Sequence, residues 1–218
     1  MPTFLQILLL SVLAFLLFRV YRKYRVARRR RLIDSYQFPA RISTKLSDKY
    51  PHLSEPQVAL VIDGLREYFH ICNIAGRRMV AMPSQAVDVA WHEFILFTRH
   101  YKQFCEKALG RFLHHTPAEA MSSPTIAQQG IKRAWRIACR REQIKPDAPN
   151  RLPLLFALDA DLAIPDGFRY ALDCRRSGDA AYCAGHIGCG GGCGSCAGGC
   201  GGDASGCGSG CGGGCGGD

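Results

Sequence analysis

Between Pro83 and Pro117 the chain gathers Asp88, Trp91, His92, His100, Tyr101, Cys105, His114 and His115, side chains able to ligate metals, carry protons or attack electrophiles. Three chemistries compete for them. Imidazole and thiolate are zinc ligands, so His92, Cys105, His114 and His115 could hold a metal. The spacing offers no H-x-x-x-H or H-E-x-x-H, because His92-Glu93 is followed by Phe94, Ile95 and Leu96. Cys105 could serve as a nucleophile only beside an imidazole that draws off its proton, and nothing in the sequence puts one there. The plainest reading gives Trp91, Phe94, Tyr101 and Phe104 to the core and leaves the histidines to satisfy backbone groups at helix ends. The candidate site is therefore Asp88, Trp91, His92, Tyr101, Cys105, His114 and His115, with no catalytic residue assigned.

A second constellation is the C-terminal stretch, where Cys183, Cys189, Cys193, Cys196, Cys200, Cys207, Cys211 and Cys215 alternate with glycine. The intervals CGGGC, CGSC, CAGGC, CGSGC and CGGGC let paired thiolates converge on zinc or another soft metal such as copper(I), or on an iron–sulfur cluster. Only Cys193-Gly194-Ser195-Cys196 has the two-residue spacing of a zinc knuckle, which favours loose multisite binding over one defined cluster. The competing reading is a flexible extension whose cysteines matter little. With almost nothing to bury, the stretch cannot offset its ordering entropy and is expected to be disordered without a ligand. Cys72, Cys105 and Cys139 stand singly in helical segments and read as small core residues, and Cys174 stands just ahead of the tail.

The central residues need a helix to position them. Ser84 after Pro83 is a good N-cap, Asp88 puts negative charge in the opening turns, and Lys102 and Lys107 lie toward the C-terminal end. Val87, Trp91, Phe94, Tyr101, Cys105 and Ala108 recur at the three-to-four spacing of a buried stripe, and Gly110 supplies a left-handed stop. The pattern predicts one helix over 85–109 with Trp91 inward and Asp88 and His92 four apart, within reach of each other.

The N-terminus is of another kind. From Pro2 to Phe18 the chain is apolar all round apart from Gln6 and Ser11, and a helix from Pro2 to Tyr21 reaches about 30 Å, enough for a single transmembrane span if Arg19 snorkels. A signal peptide is the rival; no basic residue precedes the run and no small-x-small cleavage site follows it. Arg19, Arg22, Lys23, Arg25, Arg28, Arg29, Arg30 and Arg31 come next without an acidic residue among them, and they leave only +2 of the net charge of +10 for the rest of the chain. That block predicts an outside N-terminus and a cytoplasmic C-terminal domain. It is expected to lie on anionic lipid headgroups, with Tyr21 and Tyr24 in the interfacial belt. An RNA-binding arm is the sharper alternative, but the nearly neutral remainder gives no reason to expect a nucleic-acid partner.

Downstream, Ser54-Glu55-Pro56 starts a helix with Val58, Val61, Ile62, Leu65, Tyr68, Phe69 and Cys72 on one face, ended by Gly76. His70 reads as a partly buried helix residue. Another helix runs over 125–143 with Ile126, Ile131, Ala134, Trp135 and Ala138 inward, and a proline-interrupted segment over 145–170 folds back with a short helical turn between Pro153 and Ala163. The fold class expected is mainly α: a transmembrane anchor (2–21), a basic juxtamembrane linker (22–37), a small bundle-like helical module (38–176) and a Gly/Cys-rich low-complexity tail (177–218).

The segment Asp88-Val89-Ala90-Trp91-His92, the later Tyr101, Cys105 and Gly110, the turn Phe112-Leu113-His114-His115-Thr116-Pro117, and Leu152-Pro153-Leu154-Leu155-Phe156 with Ile164-Pro165-Asp166-Gly167 resemble bacterial members of the glycine-rich domain-containing protein-like family, over roughly residues 53–170. The resemblance implies a mainly helical module of unassigned activity, with stress or developmental roles and nucleic-acid binding suggested for plant relatives. This chain departs from those relatives in its N-terminal apolar segment and in lacking an RNA-recognition motif with its aromatic strands. The function expected is a membrane-anchored, non-enzymatic interaction or scaffold protein with a soft-metal-binding thiol tail and a protein partner that the sequence does not identify. The alternative is a metal-dependent enzyme built on the central His/Cys cluster.

Overall fold

The computed structural model describes residues 2–115, 124–172 and 182–183, with side chains described over 6–115 and 127–172. Among these residues the fold is mainly helical: α1 (Pro2–Ser35), α2 (Ala40–Lys49), α3 (Glu55–Ala75), α4 (Gln85–Leu96), α5 (Thr98–Phe104), a π-helical turn (Cys105–Leu109), α6 (Pro124–Arg141) and α7 (Leu154–Asp161). Two short strands, β1 (Tyr170–Ala171) and β2 (Tyr182–Cys183), pair in parallel. The chain divides into two compact units at Gly188. The strand pair therefore carries the first unit past position 177, where the tail was expected to begin. Cys174 and the tail cysteines Cys189, Cys193, Cys196, Cys200, Cys207, Cys211 and Cys215 lie outside the described residues, as does the side chain of Cys183.

Helix α3 is the central post, packed against α1, α2, α4, α6, α7 and the π turn. Its start follows from local chemistry: Gln57 Oε1 accepts from both the backbone N–H and the hydroxyl of Ser54 at 2.9 Å, a reciprocal N-terminal cap. Its end is Gly76 at φ 65°. Close approach is set by Gly64, where an added Cβ would lie 2.8 Å from Val87 and 3.0 Å from Leu158; only hydrogen lets α4 and α7 come this near. Phe38, Phe69, Phe94 and Phe104 meet Tyr36 and Trp91 in an aromatic core at centroid separations of 4.6–6.5 Å, with Phe38 and Phe69 stacked and the other contacts edge-on or tilted, arrangements that the ring quadrupole favours.

Two expectations are corrected. The span 85–109 is not one helix: it breaks at Phe97 (ψ 58°), restarts as α5, and loosens into the π turn as the Gly110 N–H reaches back to Cys105 O at 2.9 Å. The break lets the inward stripe turn a corner, so that Trp91, Phe94, Tyr101, Phe104, Cys105 and Ala108 are all buried. Likewise, residues 22–35 are no linker. They continue α1 without interruption, and arginine's high helix propensity makes that inexpensive. The C-terminal end of α1 is bound into the domain. Ile33 is fully buried, Arg66 donates to the Ile33, Asp34 and Tyr36 carbonyls at 2.5, 3.0 and 3.1 Å, and His70 meets Asp34 at 2.7 Å. Arg29, assigned above to the lipid surface, instead covers Gly110 so closely that a Cβ there would fall 1.7 Å from its Nη2. With Gly110 at φ 70° as well, glycine is required twice over. Among the described residues, no helix is long and apolar enough to cross a membrane.

Candidate functional site

Helix α4 begins where Ser84 Oγ accepts from the Val87 N–H at 3.3 Å. The cap is reinforced from α7, where buried Asp159 accepts from Ser84 Oγ (2.6 Å), Gln85 N (2.6 Å), Ala86 N (3.2 Å) and, from the following turn, Phe168 N (2.9 Å). A carboxylate with four donors at a helix N-terminus is both satisfied and favourably placed in the dipole field. This fixes the rotation of α4, and with it which side chains face inward.

Trp91 faces in. Its indole N–H donates to Tyr101 Oη at 3.1 Å, and Tyr101 in turn donates to Leu113 O. Burial holds the Tyr101 hydroxyl well above its ordinary pKa, so it remains a donor at any physiological pH. That relay ties the 112–115 turn to the core. Two residues beyond Leu113, His115 is laid against the Trp91 ring at a centroid distance of 4.6 Å and within 3.0 Å of Asp88.

Asp88 and His92, one turn apart on α4, complete the group. Asp88 Oδ1 meets His115 Nε2 at 3.0 Å, Asp88 Oδ2 meets His92 Nδ1 at 3.5 Å, and His92 Nε2 meets His115 Nδ1 at 3.4 Å. Side-chain exposure is 19 % for Asp88, 14 % for His115 and 51 % for His92, so the cluster is sheltered on the core side and open at His92. Since a carboxylate only accepts, His115 Nε2 carries the proton shared with Asp88.

The remaining expected site residues are elsewhere. Cys105 is fully buried, and its thiol is pushed up, first by burial, with Tyr101 and the Leu113 backbone as its hydrogen-bonding neighbours. No imidazole is among them, and a raised thiol is the reverse of an activated nucleophile. His114 is exposed and lies against Phe112 at 4.8 Å, on the other side of the turn from His115. The expected ligand set His92, Cys105, His114, His115 is therefore corrected to Asp88, His92 and His115, three residues whose donor atoms lie within 4.8 Å of one another. Consecutive residues in an extended turn point opposite ways, which is why only one of His114 and His115 can face α4.

Sequence reasoning missed Asp159, Arg66 and Asp34. Asp159 had a signal: it falls four residues after Leu155 and three before Leu162 on the apolar face of α7, where an acid must find buried donors.

Residues 28–188 match the model of the UCP032817-like family, to which the chain belongs. No curated protein and no solved structure matches it. The matched region takes in the last turns of α1, every later helix and the Asp88–His92–His115 group.

Proposed function

We propose that the chain is a membrane-anchored interaction or scaffold protein, in which the apolar half of α1 enters the bilayer and the helical domain is held at the cytoplasmic surface. The observation that carries this is the exposure of α1: Ile7, Leu8, Leu9, Leu10, Val12, Leu13, Phe15, Leu16, Leu17, Phe18 and Val20 are 49–66 % exposed. These positions cover every side of the helix, and a helix apolar all round calls for lipid or protein around it. In the sequence the run extends back through Pro2–Leu5, and Arg19, Arg22, Lys23, Arg25, Arg28, Arg30 and Arg31 follow as exposed cations suited to anionic headgroups. The opposite end of the same helix is locked into the domain by Ile33, Arg66 and His70. Such a continuous helix couples the position of the domain to the membrane.

The likeness to glycine-rich domain-containing proteins is compatible with this reading. Its best-marked segments, Asp88–His92 and the 112–115 turn, are brought together in space. The alternative, a metal-dependent enzyme, requires first that the Asp88 cluster bind a metal.

Membrane washing at alkaline pH and terminal reporters test the anchor. The full chain should stay with the washed membranes, and Leu10→Arg combined with Leu13→Arg should release it, given about 2.5–3.5 kcal/mol for each central arginine. A fluorescent reporter fused after Asp218 should be active. Activity of a periplasmic-type reporter at that position, or release of the unaltered chain by washing, would overturn the proposal.

A further inference from the structure

We infer that Asp88, His92 and His115 form a binding site for a divalent zinc ion, with one coordination position left open to solvent or to a small anionic ligand. The inference is independent of the membrane reading, since all three residues belong to the helical domain.

The donor set is the first ground. Two imidazoles and one carboxylate are borderline nitrogen and oxygen ligands of the kind zinc accepts. Three protein ligands leave the fourth tetrahedral position free. One ligand atom from each residue can be chosen so that the three lie within 4.8 Å of one another, against the roughly 3.3 Å edge of a tetrahedron with metal–ligand bonds of about 2.0 Å. Closing on a cation requires the side chains to draw inward, and the half-exposed His92 is placed to make that movement.

The second ground is the supply of lone pairs. A carboxylate and two imidazoles meet in three pairwise contacts, and a neutral imidazole in either tautomer keeps one nitrogen lone pair that a cation can accept. The contact between Asp88 Oδ2 and His92 Nδ1, at 3.5 Å, is the longest of the three and involves the half-exposed ring.

The third ground is support from behind. The relay from Trp91 through Tyr101 to Leu113 O holds the turn that carries His115, and the Asp159 cap fixes the rotation of α4, which carries Asp88 and His92. Fixed outer partners of this sort are what a metal site needs to keep its geometry. The buried face against Trp91 also excludes water from one side and leaves His92 as the route of entry.

Tail thiolates would compete for zinc, so the test uses the full chain in detergent with Cys174, Cys183, Cys189, Cys193, Cys196, Cys200, Cys207, Cys211 and Cys215 all replaced by serine. Equilibrium dialysis against zinc chloride at neutral pH should give one zinc per chain, and zinc should raise the melting temperature. His92→Ala and His115→Ala should each weaken binding by at least roughly 10- to 100-fold, whereas His114→Ala should leave it unchanged. His92, being half exposed, is the substitution least able to disturb folding, and far-ultraviolet circular dichroism checks that it does not. Cobalt substitution should give a spectrum without a thiolate-to-metal band. Absence of bound zinc, a thiolate band, affinity unmoved by His92→Ala, or equal weakening by His114→Ala would each overturn the site.

Discussion

His70 with Asp34 and His115 with Asp88 are the same chemical pair at similar separations, 2.7 and 3.0 Å, in two parts of one domain. In the first the imidazole is buried, 4 % exposed, and the acid is wet, 54 % exposed. In the second, acid and imidazole are about equally sheltered, and a further imidazole, His92, is added from the solvent side. The difference decides what each pair can do. His70 is buried with Asp34 as its hydrogen-bond partner, so the pair acts as a latch: with Arg66 it holds the C-terminal end of α1 against α3. The Asp88 group has a third member and an open side, so it can exchange its shared protons for a metal. Burial and the number of donors, not residue type, separate the two.

The comparison breaks most visibly at Trp91, which lies beneath the open cluster and not beneath the latch. Trp91→Ala removes the contacts with His115 and Tyr68 and the hydrogen bond to Tyr101, and should cost about 3–5 kcal/mol in urea unfolding. Trp91→Phe, which keeps most of the buried area and loses the hydrogen bond, should cost nearer about 1 kcal/mol. A cost below about 1 kcal/mol for the alanine variant would mean that the cluster does not rest on the core. Next in size is Arg66→Leu, which strips the donor from the Ile33, Asp34 and Tyr36 carbonyls and the cation from above the Phe38 ring. It should cost about 1.5–3 kcal/mol, as for hydrogen bonds to a charged group, and should speed amide exchange over residues 33–38. Zinc affinity should not change, because Arg66 has no contact with the Asp88 group. A parallel loss of zinc binding would make the two regions one.

Much of this was legible in the sequence where periodicity and end signals agreed. Helix α3 has its Ser54 start and Gly76 stop, α6 its inward Trp135 and Ala138, and the Trp91 stripe its spacing; Asp88 and His92 are neighbours on any helix. The break at Phe97 was not legible, because neither glycine nor proline marks it and the apolar spacing runs straight through. Its cause is tertiary: Tyr101 and Cys105 have to reach a core that a straight helix would leave behind. Helix α2 was missed since Ile42 and Leu46 are its only buried residues, too few to form a pattern. The basic stretch reads as a juxtamembrane linker on lipid headgroups until Ile33 and Arg29 are seen against the domain. His115 was indistinguishable from His114 without the direction of the turn. Asp34 with His70 and Asp159 with Ser84 are joined over 36 and 75 positions, a range at which local spacing carries no information.

The smallest effect is expected from the latch itself, and its sign is the informative part. Burial, followed by the nearby Arg141, lowers the His70 pKa below its ordinary 6.5, while Asp34 and Glu67 pull it upward without prevailing. The 2.7 Å contact alone would favour an imidazolium, but more than half of the Asp34 side chain is in water, which weakens its field. His70 is therefore neutral near pH 7 and donates Nε2–H to the carboxylate. As pH falls through about 6.5 the unfolded chain takes up this proton before the folded chain does, so stability is lost on acidification until the folded-state pKa is passed. His70→Gln keeps a donor for Asp34 and removes the titration; the fall in the urea midpoint between about pH 7.5 and about pH 5.5 should become smaller. Asp34→Asn removes the charge that favours protonation in the folded state, lowers the His70 pKa further, and should make that fall steeper. If His70 were instead a charged partner in an ion pair, acidification would stabilise the protein through this residue and Asp34→Asn would remove the gain. A steeper fall in Asp34→Asn together with a shallower one in His70→Gln supports the neutral latch, and the pattern expected of a charged pair would overturn it.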